Sequence, residues 1–254
     1  MKKNIRGARI SSSVHDKTVT KLLVRDQGVQ IKIEITPVLR GCAYAPELRG
    51  VSPAVEEMFG FAEMQVVSFA DLYAGKIVAA LDRRHPRDLF DVRDLLANEG
   101  VGDELREAFI VYLISHNRPM AEVLSVRPKD ITHDFETNFK GMTANAVTLE
   151  ELLAARTAIT DIIVGGMPDD HRKFLVGFEA GTPDWSLLNI PKASKLPAVK
   201  WRQMNFDKLT RNQRIANIRT LAGVLGVEAQ PDQLTLFAEP SAKPAKKRGG
   251  KPAR

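Results

Sequence analysis

The chain has 254 residues, 44% apolar and 27% charged, an ordinary balance for a globular protein with room for one or two real cores. No apolar run reaches the ~18 residues of a membrane-spanning helix, no apolar stretch follows the basic start (Lys2, Lys3, Arg6, Arg9) as a secretory signal requires, and the lone Cys42 excludes an internal disulfide. The net charge of +6 is no general nucleic-acid signal: residues 241–254 hold six basic and no acidic residues, and the remaining 31 basic and 31 acidic residues balance.

Thr18–Arg25 and Val29–Thr36 read as two strands around Asp26-Gln27-Gly28. Alternation in the second puts Val29, Ile31, Ile33 and Ile35 on one face and Gln30, Lys32 and Glu34 on the other. Pro37 ends it. Residues 37–60, punctuated by glycine and proline, read as loop with one helical turn, and Phe61–Val67 as a short strand. Ser68 with Asp71 three residues on is an N-terminal cap for a helix over Phe69–Arg83. Arg84-His85-Pro86 breaks it, and Pro86 suits the first turn of a helix ending near Asn98-Glu99-Gly100, with Leu89, Val92 and Leu96 as its buried stripe and Arg87–Asp91 as an i,i+4 pair.

Beyond Asp103 the pattern is helical. Helices are expected over Asp103–His116, Met120–Val126 and Ile131–Lys140, from Thr148 to the stop at Gly165-Gly166, over Lys173–Glu179, and from Asn205 to Leu225. Between the last two lies a proline-punctuated segment whose Trp185, Leu187 and Leu188, with Trp201, are candidates for the core. The tail, rich in Lys, Pro, Ala and Gly, has nothing with which to build a core and is expected to be disordered.

The charged positions that bear on chemistry cluster in 68–96. Lys76 interrupts an otherwise apolar helix, with Phe69, Leu72, Tyr73, Ala80 and Arg83 on its own side. It reads either as a lysine reaching past the apolar surface to water or as a fixed cation aimed at a triphosphate. His85, Arg87, Asp88 and Asp91 follow at the next helix start, where first-turn acids suit the helix dipole; spacing alone fits a structural ion network as well as phosphate handling. Glu34 reads either as part of a solvated face or as a carboxylate for a divalent metal, which prefers several oxygen ligands. No GxxxxGK, GxGxxG, HExxH or GxSxG motif occurs.

The segment YAGKIVAALDRRHPRDLFDVRDLL at 73–96 resembles the hallmark of the AbiEii/AbiGii toxin family, a branch of the nucleotidyltransferase superfamily. The similarity continues through IKIEIT at 31–36, FKGMTANAVTLEELLAAR at 139–156 and TPDWSLLNIPKASKLPAVKW at 182–201. The resemblance implies an α+β fold: an incomplete nucleotidyltransferase domain with a mixed sheet over residues 1–100, a helical domain over 101–228 and a basic tail over 229–254. It implies a cytoplasmic enzyme that transfers a nucleotide from an NTP to RNA, such as a tRNA 3′ end, with Mg²⁺, in a toxin–antitoxin or abortive-infection system with a cognate antitoxin. Carried over by position, Glu34 matches a metal-binding carboxylate, Lys76 the lysine facing the phosphates, and Arg87-Asp88 with Asp91 the RDxxD block; Glu34, Lys76 and Asp88 are the implied catalytic residues, Lys76 and Arg87 bind nucleotide, and His85 and Asp91 support them.

The Gly-Gly or Gly-Ser turn followed by a DxD pair, the superfamily's first motif, has no counterpart here. The expectation is a chain lacking its first ~60–80 residues, weakly active or inactive alone and a poor Mg²⁺ binder. The alternative is a non-catalytic RNA- or antitoxin-binding protein that uses the helical domain and the tail.

Overall fold

A computed structural model of the protein describes residues 7–15, 18–34, 40–125 and 129–229. The fold is α+β, and the chain separates into two compact units, residues 1–39 and 40–254.

The first unit is a three-stranded antiparallel sheet of β1 (Arg9–His15), β2 (Thr18–Asp26) and β3 (Val29–Glu34) in that order. The turn between β2 and β3 is two residues long, and Gln27 and Gly28 both take positive φ (46° and 83°), the primed geometry that matches strand twist. Leu22 pairs with Ile33 and Val24 with Ile31. The alternation of β3 is therefore as the sequence indicates, but its isoleucine face is not a core: Val29 and Ile31 are 63% and 57% exposed, and Val24 is the fully buried apolar residue of this unit among those described. The serine-rich β1, RISSSVH, carries no such alternation and escaped the sequence reading. Ile35 and Thr36, the expected end of β3, lie outside the described residues.

The second unit opens with an arm of β4 (Glu47–Gly50), α1 (Pro53–Phe59) and β5 (Glu63–Val66), with β4 and β5 antiparallel; β5 falls within the expected strand Phe61–Val67 and α1 is the helical turn expected in 37–60, whereas β4 lies where loop was expected. The helices α2 (Phe69–Asp82), α3 (Pro86–Asn98), α4 (Asp103–Ile114), α5 (Met120–Leu124) and α6 (Thr132–Asn138) follow. After them come α7 (Leu149–Thr160), extended by a π turn at Asp161–Gly165, then α8 (Asp169–Ala180), α9 (Pro197–Phe206) and α10 (Arg211–Leu225). Their apolar stripes converge on one core, whose fully buried side chains include Ile77, Leu81, Leu89, Phe109, Phe174 and Phe178.

Two expectations are corrected here. The last helix is two helices: Pro197 starts α9, and Thr210 starts α10 through a reciprocal capping box with Gln213. Trp201 is 44% exposed on α9, whereas Trp185 meets Phe174 and Phe178 edge-on at 5.1 and 6.2 Å. Val126 and the tail from residue 230 lie outside the described residues.

Candidate functional site

The site is built on α2, α3 and the three-residue break between them. Ser68 caps α2 by accepting from the Asp71 amide at 3.0 Å and donating its hydroxyl to Asp71 Oδ2 at 2.7 Å. The buried Asp71 carboxylate does more than cap: it accepts the amides of Ala43 (2.6 Å) and Tyr44 (3.0 Å), tying residues 43–44 to the start of the helix. The helix thus has a fixed origin. Ala70, Ala74, Ile77, Val78 and Leu81 point inward, and Phe69, Leu72 and Lys76 lie on the other side. Lys76 is therefore a half-exposed cation on the surface stripe, not a charge in the core.

Its partner is Asp91 on α3, with Nζ and Oδ2 2.6 Å apart. The i,i+4 pair expected between Arg87 and Asp91 does not form. Arg87 instead turns away and donates to the carbonyl of Asn138 at 3.3 Å. Asp88 is 7% exposed and held by Arg83 Nη2 at 2.7 Å on Oδ1, while its Oδ2 is buried without a hydrogen-bond partner. His85 is the N-cap of α3, its Nδ1 accepting from the Arg87 amide at 3.2 Å. Arg83, His85, Arg87 and Asp88 line an open cleft of about 310 Å³. Two crosslinks thus join α2 to α3, Lys76–Asp91 and Arg83–Asp88, and both leave a cation at the surface.

The sequence reading placed Arg83 on the Lys76 side of its helix but did not foresee its bond to Asp88; a basic residue one helical break away from a buried acid is the signal that could have found it. Tyr73, which the sequence reading also placed on the Lys76 side, is its neighbour on α2. One turn before Lys76, its hydroxyl is pushed above its ordinary pKa, chiefly by burial and then by the Glu99, Asp91 and Asp94 carboxylates.

Glu34 belongs to the other unit. It stands opposite Lys21 across the ladder and is ion-paired to Lys32 on its own strand at 2.5 Å. Its carboxyl lies below the ordinary range, mainly through the hydrogen bond from Lys32. Among the described residues no three Asp, Glu, His or Cys side chains converge to hold a metal ion. A lone exposed glutamate already bound to an ammonium does not fit a resident Mg²⁺, which wants several oxygen ligands.

Lys76 on α2 and Asp91 of the Arg87-Asp88/Asp91 block on α3 are thus joined across two helices of an α+β chain. The family model described as "Nucleotidyl transferase AbiEii toxin, Type IV TA system" matches residues 3–201, and the chain belongs to that family. It is thereby a member of a nucleotidyltransferase toxin family of type IV toxin–antitoxin systems. No curated protein and no solved structure matches it significantly. Among the described residues no helix is long and apolar enough to cross a membrane.

Proposed function

We propose that the α2–α3 block is the phosphate-binding part of an NTP-dependent nucleotidyltransferase that acts on an RNA acceptor, such as a tRNA 3′ end, under control of a cognate antitoxin in the cytoplasm. The observation that carries this reading is the pairing of Lys76 with Asp91 at 2.6 Å beside the cleft of Arg83, His85, Arg87 and Asp88. It presents an ammonium whose side chain is 41% exposed and two exposed guanidiniums, Arg83 and Arg87, on a two-helix support. Phosphate oxygens are recognised by such groups.

In this scheme Lys76 and Arg87 take the nucleotide phosphates. Asp91 aims Lys76 and Asp88 aims Arg83, each by an ion pair that fixes the rotamer of a long side chain. His85 sets the start of α3 and hence the position of Arg87. Residues 1–100 are the nucleotidyltransferase part and 101–228 its helical partner. The family implies a divalent metal, with Glu34 as ligand, but the residues described do not fit that ion.

The test is equilibrium binding of the four NTPs to the 254-residue chain. Lys76→Ala and Arg87→Ala should each weaken binding about tenfold, the scale of one charge-assisted contact, while Lys32→Ala leaves it unchanged. Equal affinities across the three variants would sink the assignment. Labelling of RNA from a radiolabelled NTP should stay at background for this chain, because one metal carboxylate does not place the two ions that phosphoryl transfer uses. Labelling that is lost on Glu34→Ala would overturn that part. RNA binding with no NTP binding would favour the non-catalytic alternative.

A further inference from the structure

Residues 45–65, the arm formed by β4, α1 and β5, add nothing to the core. Every side chain from Ala45 to Gln65 is exposed except the half-buried Val51. Leu48, Met58, Phe59, Phe61 and Met64 leave between 61% and 78% of their surface in water. A two-stranded hairpin and a seven-residue helix are each marginal in water without a surface to pack on. At roughly 100–150 Å² apiece, these side chains present on the order of 600 Å² of apolar surface, close to the ~800 Å² per partner of a standard interface.

The strand itself shows what covers it. The Val51 amide donates to the Ala62 carbonyl at 2.9 Å, so these opposed residues form a hydrogen-bonded pair. Alternation along the antiparallel ladder then turns the N–H and C=O of Glu47 and Arg49 toward β5, and those of Leu48 and Gly50 toward the edge that β5 leaves free. A second copy of β4 laid antiparallel on that edge, with Leu48 opposite the partner's Leu48, satisfies both main-chain groups of Leu48 and the N–H of Gly50. The two leucines exchange both main-chain bonds, and each Gly50 amide meets a Pro46 carbonyl. Glu47 then faces the partner's Arg49, twice, in the closely spaced pairs where side chains approach best. In the single arm these two residues have only each other, at 2.7 Å on the same strand face.

Other registers are worse. Centring on Glu47 or on Arg49 still lets the outward main-chain groups meet, but sets like charges opposite one another at the two-fold axis. Pro46 has no N–H, so the ladder stops after four bonds and closes as a two-fold pair without growing along the edge. Phe61, which lies 3.4 Å from where a side chain on Gly50 would begin, packs on the same face as Leu48 and extends the apolar contact.

We propose that the arm is a homodimerisation element, in which the β4 strands of two copies pair antiparallel about Leu48 to make a four-stranded sheet.

The test is sedimentation velocity on the full chain from about 1 to about 100 μM, the range in which an interface of this size reports. Wild type should sediment at twice 28.1 kDa at the upper end. Glu47→Arg alone and Arg49→Glu alone each set like charges opposite one another at both positions and should raise the dissociation constant at least about tenfold. An equimolar mixture of the two variants restores opposite charges across the interface and should dimerise like wild type. Helical circular dichroism should be the same throughout, since the arm touches no core. Wild type that stays monomeric at the highest concentration overturns the proposal, whatever else its apolar arm is found to bind. A dimer indifferent to both single changes, or a mixture no better than its components, overturns it equally.

Discussion

Arg172 shows how much of this fold rests on single side chains reaching backbone. Its guanidinium donates to the carbonyls of Met167 (2.9 Å), Val164 (3.1 Å), Gly165 (2.8 Å) and Leu225, and so closes the π turn and the end of α10 together. Arg172→Met should cost roughly 2–4 kcal/mol in urea unfolding, because buried carbonyls lose their donors. Nothing in the sequence around position 172 announces this, since the acceptors are main-chain carbonyls, which any residue carries, and one of them lies 53 residues on. Lys76 and Asp88 were legible for the opposite reason: a charge in an apolar helical stripe must meet something. Which partner it meets was not legible, because Asp91 and Arg87 fit an i,i+4 pair equally well until α2 and α3 are packed. Histidines set the pH dependence. Burial, the largest cause, lowers both His116 and His171 below 6.5, against the pull of Asp82 on the first and Glu107 on the second. The unfolded chain then binds more protons below that value, so stability is lost as pH falls through 6.5 toward the folded values. Melting temperature should fall between about pH 7 and about pH 5, and less so in His116→Gln/His171→Gln, which removes both groups.

At the scale of elements, caps were the readable signals. Ser68, Pro86 and Thr148 each begin a helix where the sequence indicates. Thr210 was overlooked because the apolar pattern runs on through α9 into α10, and periodicity does not register a change of axis. Thr210→Ala should destabilise α10 by about 1 kcal/mol. The stop of α8 is more demanding: Gly181 sits at φ +85°, and a side chain there would begin 2.7 Å from Arg214 Nη2. Gly181→Ala should therefore cost at least about 1 kcal/mol, the left-handed backbone and the displaced guanidinium adding together. Both values follow from thermal melts of the single variants. In the arm, the strand at Phe61–Val67 and a helical turn before it were readable, but β4 was not, because four residues are too few for a period of two to show.

For the whole molecule, the two units differ in how they are held. The helices share a continuous core around Ile77, Phe109 and Phe174, whereas the sheet of β1–β3 buries one apolar residue, Val24, among those described. Hydrogen exchange should accordingly be fast in residues 9–34 and slow in α2, α4 and α8, since opening energy tracks the apolar area an element buries. Comparable protection in both would show that the sheet draws stability from a source other than its own packing. The α+β class was what the family resemblance implied, while strands before Pro37 and helices after Ser68 were readable from the change of period, 2 then 3.6. The thinness of the sheet was not, since alternation reports a face and not what covers it. The ion pairs of α2 and α3 have one more consequence. A polyanion that binds ordinary surface lysines gains entropy by expelling mobile salt ions, which is why such binding collapses as salt rises. Here the cations already hold tethered carboxylates, Asp91 on Lys76 and Asp88 on Arg83. In the proposed function an incoming phosphate has to displace from Lys76 an anion that has nowhere to diffuse, so binding there should change less with ionic strength than binding to unpaired lysines does.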